Sequence, residues 1–497
     1  MSVQKIILAV LILGLFGCSK KEKGIIINGK IDGEHSGKVE YTSPIEGKWF
    51  YGDKKSITVD SVGAFQVKMD VEKPSFVTMY VPGKAGGVLL VEPGKAYDIK
   101  FELKTNQKKF LVISKDSIAQ NFYNTLPSPD FYMMGLNEFY NDSIPLEISS
   151  KMDTLKEKEI SRFGELLKKN EISKDFYELA VLDRKVYYSA LETGLAAMLL
   201  RKHLNEKDER ALGKLKNFWD EKIGISKLNG PDIVRSPWFY PLVYNSVWYA
   251  RYLSEKPDPK DMAKMYETSK RLKYNIDEPK KYLAGKELEY YLASYIFLES
   301  WQTKDNSKEI IEMYENFKNE YPDSPYNKYL ASSIQPIIDF HKKLENAQPN
   351  GEVRIVKDYE NINTFDELIK QLHGKKVFVD IWGTWCGPCK KEFEQKERLE
   401  ELLKPKDITV LYICEGRNSK EKVWKEMIQF YDLEGFHILA NNTLVANIID
   451  KFGNNGAFTY PRYLLVDENG RVVNQQASYP SKIRQLEKEI NEGFLYK

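Results

Sequence analysis

The sequence predicts three folded parts in succession: an all-β, sandwich-like domain, an all-α domain and a C-terminal α/β domain. Three observations carry this expectation. Apolar residues recur with a period near two up to about residue 105, with a period of three to four between 110 and 345, and in buried runs alternating with helical segments after 350. The length of 497 residues fits about three domains of ordinary size.

The first part holds short β-rich runs at 25–27, 38–42, 56–59, 64–69, 76–81, 88–91 and 97–101. They are punctuated by Gly63, Pro82-Gly83 and Pro93-Gly94. Strands at that spacing build a small sandwich over 25–105. From 110 to 345 the rows Leu179, Leu182, Val186, Ala190 and Leu288, Tyr291, Tyr295, Leu298 each fall on one helical face, and Ser324-Pro325 reads as a cap followed by a first-turn proline. Polar residues 346–351 read as a linker. After it come a strand at 376–382, a helix at 386–403, a strand at 408–413, a helix at 418–431, a strand at 436–439, a hairpin over 463–476 and a closing helix at 481–490. Buried strands alternating with helices make a sheet covered on both faces.

With 74 Lys and Arg against 72 Asp and Glu, the formal charge of +2 provides no field suited to a phosphate backbone, so nucleic acid is not an expected partner. At the N-terminus Lys5 precedes an apolar run that ends at Gly17 and Cys18, in the order of a secretory signal and too short to span a bilayer. Leu15-Phe16-Gly17-Cys18 resembles a bacterial lipobox. That resemblance implies a signal peptide over 1–17, acylation of Cys18, a lipidated tether over 18–24, and folded domains held at a membrane in the cell envelope, on the periplasmic side.

The chemistry is written at the end of the 376–382 strand, in Trp385-Cys386-Gly387-Pro388-Cys389-Lys390. Two thiols separated by two residues at a helix start can close a disulfide within one turn. The helix N-terminus favours a thiolate on the first. Cys386 is therefore the expected nucleophile and Cys389 the buried resolving thiol. Haem attachment would require His after Cys389, where Lys390 stands, and zinc would require a second soft pair, which Cys18 and Cys414 do not make. Cys414 closes an apolar strand and reads as an inert buried thiol.

The segment 353–497 resembles the thioredoxin superfamily, and within it the TlpA/ResA/DsbE-like thiol:disulfide oxidoreductases. The likeness rests on the W-C-G-P-C string, on the Val377-Phe378-Val379-Asp380-Ile381-Trp382 strand, on Thr459-Tyr460-Pro461 ahead of Leu464-Leu465-Val466-Asp467, and on the added strand and helix over 408–431. It implies a thioredoxin-like fold for 350–497, a buried carboxylate at Asp380 that accepts the proton of Cys389, and a cis proline at Pro461 that presents the Tyr460 backbone to an extended substrate. Trp385 joins the docking rim. Gly387-Pro388 matches thioredoxin and favours reduction of protein disulfides. A membrane electron donor of the DsbD or CcdA type is implied, with no cofactor beyond the Cys386–Cys389 pair and no metal. A second reading stays open, because 25–345 exceeds the redox part in length. The front domains then recruit a partner, as a binding or scaffold lipoprotein with an accessory redox domain.

Overall fold

The computed structural model describes residues 24–104, 109–126, 139, 145–219, 232–255, 268–302, 306–346, 352–417, 419–453 and 458–495. Cys18, the signal segment and the tether lie outside them. The chain divides into two units, Met1–Ser294 and Tyr295–Lys497.

The first unit begins with β1 (Gly24–Asp32), β2 (Lys38–Thr42), β3 (Lys54–Thr58), β4 (Ala64–Asp70), β5 (Ser75–Val81), β6 (Ala85–Val91), β7 (Ala96–Glu102) and β8 (Lys109–Val112). They form two four-stranded sheets, ordered β4-β1-β7-β8 and β3-β2-β5-β6. The strand period of two sends Ile25, Ile27 and Phe101 from the first sheet, and Val39, Val77 and Met79 from the second, into one shared core. The opposite face of β5 and β6 is covered as well. Phe76, Val88 and Leu90 pack with residues of α1 (Ser117–Tyr123), α2 (Pro145–Lys168) and α3 (Lys174–Glu206). That second burial explains why β6 reads as a continuous apolar run at its end rather than an alternation. Further helices are α4 (Glu209–Phe218), α5 (Phe239–Glu255), α6 (Thr268–Asp277) and α7 (Gly285–Gln302). Arg184 of α3 is fully buried and paired with Asp183 and Glu159, and Tyr123 donates to Asp183 at 2.8 Å.

The second unit contains α8 (Lys308–Glu320) and α9 (Asn327–Asn346), followed by the α/β domain. Helix α9 opens at Asn327, after a turn in which Ser324 Oγ accepts from the Tyr326 N–H. The domain comprises β9 (Val353–Ile355), α10 (Phe365–Lys370), β10 (Lys376–Trp382), α11 (Gly387–Phe393), α12 (Lys396–Leu403), β11 (Ile408–Glu415), α13 (Glu421–Tyr431), β12 (Gly435–Ala440), α14 (Asn442–Phe452), β13 (Arg462–Val466), β14 (Val472–Asn474) and α15 (Ile483–Leu495). The helix expected over 386–403 is two helices, broken between Phe393 and Lys396.

The six strands are ordered β14-β13-β10-β11-β12-β9, with β9, β10, β11 and β12 mutually parallel, β13 antiparallel to β10, and β14 antiparallel to β13. Central β10 is buried on both faces. Val377, Val379 and Ile381 pack with α10 and α14, whereas Phe378 and Trp382 pack with α11, α12, α13 and α15. Each such side chain contributes roughly 1.5–3 kcal/mol by leaving water. Phe340 of α9 belongs to the second of these cores, its ring 4.6 Å from that of Phe430 on α13. A capping box joins Thr364 and Glu367 at the start of α10, and Asn441 caps α14.

Candidate redox site

Helix α11 follows the carboxyl end of β10 with only Gly383 to Cys386 between, so the cysteines emerge where the sheet stops. The turn is tight. Cys386 N–H donates to the Gly383 carbonyl at 2.9 Å, and a Cβ on Gly383 would lie 2.8 Å from the Trp385 ring. Thr384 is anchored through its N–H and hydroxyl, both directed at Ser419 Oγ. Pro388 sits in the first turn of α11, where a missing N–H costs nothing.

Cys386 and Cys389 are joined as a disulfide, with their Cα atoms 5.4 Å apart. Cys386 is the N-cap of α11, and its Sγ accepts the Cys389 N–H at 3.2 Å. Cys386 is the more accessible of the two, 3% against 0%. A donor aimed at the first sulfur favours its charged form. Cys414 is buried, and burial pushes its thiol up to about 12.

Asp380 lies on β10 two residues before Trp382, on the face shared with Cys389. It is 2% exposed, and its Oδ1 meets no donor among the described residues. Burial, with the Glu392 charge adding, holds its carboxyl well above the usual range. The Tyr460–Pro461 peptide is cis. The Tyr460 ring meets the Trp385 indole at 5.2 Å and the Phe458 ring at 5.0 Å, and the Arg462 guanidinium covers Phe458. Trp385 remains 40% exposed. Trp385 of the cysteine turn thus meets Tyr460, which precedes Pro461 in the cis bond, Gly387 and Pro388 lie between the two cysteines, and Asp380 lies on the β10 face that packs with α11.

Sequence reasoning missed the residues that tie this rim together. Glu415, at the buried end of β11, accepts from the Trp385 indole N–H at 3.3 Å and from Arg417 Nε at 2.5 Å. Burial pushes the Tyr460 phenol up to about 12, with Glu415 adding and Arg417 opposing. The available signal was an acid closing an apolar strand at the carboxyl edge of the sheet, where sites gather. Tyr412 and Tyr463 flank Asp380 from the neighbouring strands, a placement that no local sequence pattern signals. Among the described residues, no group of three or more His, Cys, Asp or Glu side chains is placed to hold a metal ion.

A family model described as Redoxin matches residues 354–490. Residues 354–490 are thus a redoxin, thioredoxin-like domain. Over 129 residues the chain is 30% identical to the thiol-disulfide oxidoreductase ResA of a Bacillus cereus strain, covering 26% of this chain and 66% of that protein. The ResA of Halalkalibacterium halodurans is 30% identical over 105 residues, 21% of this chain and 55% of the relative. The chain therefore spans less than two thirds of the length of these relatives. A solution structure described as a thiol-disulfide oxidoreductase of Bacteroides vulgatus is 30% identical, covering 25% of this chain and 76% of that one at a TM-score of 0.21. The redoxin domain is a thioredoxin-like thiol-disulfide oxidoreductase domain, homologous to ResA, with its C-x-x-C pair closed as a disulfide. Among the described residues no helix is long and apolar enough to cross a membrane.

Proposed function

We propose that the protein is a lipid-anchored thiol:disulfide oxidoreductase that reduces disulfides of extracytoplasmic proteins. The observation that carries this reading is the asymmetry of the cysteine pair, in which Cys386 caps the helix and accepts the N–H of a fully buried Cys389. In the reduced state the Cys386 thiolate attacks a substrate disulfide, forming a mixed disulfide and expelling one substrate thiolate. Cys389 passes its proton to Asp380 and attacks Cys386, which forms the internal disulfide and releases the second substrate thiolate. Two electrons move from the dithiol to the substrate.

Trp385 and the Tyr460–Pro461 backbone receive the extended substrate segment beside the cysteines. Gly387-Pro388 favours the reducing direction, since thioredoxin with that dipeptide lies near −270 mV. A membrane donor of the DsbD or CcdA type returns the electrons, and acyl chains on Cys18 hold the protein at the periplasmic side of a membrane. The test is trapping with Cys389→Ser in the full chain. Envelope proteins disulfide-linked to Cys386 are the expected product. No capture, alongside normal capture by a control thioredoxin, refutes substrate reduction. Trapping that yields the same partners after removal of the front domains argues against the scaffold reading.

A further inference from the structure

Asp380 stands in a row of polar side chains that crosses the sheet. At its register position β11 places Tyr412 on one side and β13 places Tyr463 on the other, and Tyr412 in turn lies opposite His437 of β12. Residues opposite one another share a face, so the row runs under the helix that carries Cys389. The rings are held by neighbours. Tyr412 stacks on His437 at 4.8 Å, Phe378 stacks on Tyr463 at 5.4 Å, and Tyr479, which is 38% exposed, meets Tyr463 edge-on at 5.5 Å.

Two buried atoms at the centre of this row, Asp380 Oδ1 and the Tyr463 hydroxyl, have no hydrogen-bond partner among the described residues. Buried polar atoms of this kind are ordinarily paired or bridged by an internal water with about three partners. The hydroxyls remain protonated wherever a carboxyl titrates, because burial first and then the Asp380 charge push both Tyr412 and Tyr463 above the usual phenol range. His437 is not the donor. Burial lowers it to about 4, and its Nε2 is engaged with the Leu433 carbonyl. The titratable groups around Asp380 are Tyr412 and Cys414 from β11, Tyr463 from β13, and Cys389 and Glu392 from α11. Glu400 and Glu434 act on Tyr412, and Tyr479 acts on Tyr463.

We propose that Tyr463 is a positioning residue for the resolving step, its hydroxyl donating across a shared internal water to the Asp380 carboxylate that takes the Cys389 proton. The inference rests on Asp380 being that acceptor. In the step the Cys389 S–H bond breaks and its proton goes to Asp380. The Cys389 sulfur bonds to Cys386 Sγ, and the substrate sulfur leaves with the electron pair of the mixed disulfide. Tyr463 breaks no bond; it stabilises the charged carboxylate before the transfer and so sets the pH at which Asp380 is available.

The test mixes reduced full-length protein with dithiobis-nitrobenzoate in a stopped-flow instrument between pH 5 and 9. The first thionitrobenzoate released reports attack by Cys386, and the second reports attack by Cys389. Tyr463→Phe keeps the ring on Phe378 and removes only the hydroxyl. It is expected to leave the first phase unchanged, to move the pH midpoint of the second upward by about one unit, and to slow it about tenfold below that midpoint. In an Asp380→Asn background the same substitution should add nothing. A Tyr463→Phe profile equal to wild type, or an undiminished slowing in the Asp380→Asn background, overturns the inference while leaving Asp380 as acceptor. A second phase unaffected by Asp380→Asn overturns that underlying reading instead. The unchanged first phase serves as the control for folding.

Discussion

Replacing Asp380 with Asn should make the protein more stable and less active, and only above a certain pH. The carboxyl is 2% exposed, and its Oδ1 receives no hydrogen bond from the described residues. A buried polar atom left without a partner costs about 1–3 kcal/mol, and more when charged. Burial raises the folded pKa well above 3.8, with Glu392 adding. The native state therefore holds a proton that the unfolded chain has released, and stability falls as pH rises from about 3.8 toward the folded pKa. Below that window both states are protonated and the handicap vanishes. Asn carries no charge at any pH, so Asp380→Asn should gain on the order of 1–3 kcal/mol at pH 8 and little at pH 4. For a folding unit of 150–250 residues this is about 2–4 °C per kcal/mol in scanning calorimetry of the oxidised chain. The resolving step should meanwhile slow by about a hundredfold or more, the size of a lost general base. A variant destabilised at pH 8, or a gain of equal size at pH 4, refutes the reasoning.

Further outcomes follow from other parts of the second unit. His437→Phe keeps a ring against Tyr412 and removes a group that burial lowers to about 4 from 6.5. Wild type should lose about 3 kcal/mol as pH falls through that interval, because only the unfolded chain takes up the proton, and the variant should lose correspondingly less in acid denaturation curves. Phe340→Ala should cost about 3–5 kcal/mol in denaturant titrations, since the ring is buried in the redoxin core against Phe430. After reduction at pH 8, iodoacetamide should label Cys386 while sparing Cys414 until the protein is unfolded, as read by peptide mass spectrometry; burial pushes the Cys414 thiol up to about 12.

The elements that set the redox chemistry were legible because each carries a local signature. The 376–382 run is apolar at most consecutive positions, as expected of a strand buried on both faces, and Pro388 between the cysteines suits a first helical turn. What escaped depends on lateral register. Tyr412 and Tyr463 reveal nothing until the pairing of β10 with β11 and β13 sets them on either side of Asp380. His437 lies fully buried within β12, stacked on Tyr412, a partner that only the pairing of β11 with β12 supplies. Glu415 reads as the polar end of a strand until the Trp385 indole and Arg417 converge on it. Leu330, Ile334 and Ile337 share one helical face by their spacing, but Phe340 reaches a core assembled from residues far along the chain, and no periodicity records such a partner.

The carboxylate of Glu415 fastens the indole of the cysteine turn to Arg417, and that indole rests edge-on against the phenol next to the cis proline. Two stretches remote in sequence are thereby welded into one plate around the sulfurs. Loss of the Glu415 carboxylate would therefore loosen the cysteine turn and the Tyr460–Pro461 stretch together.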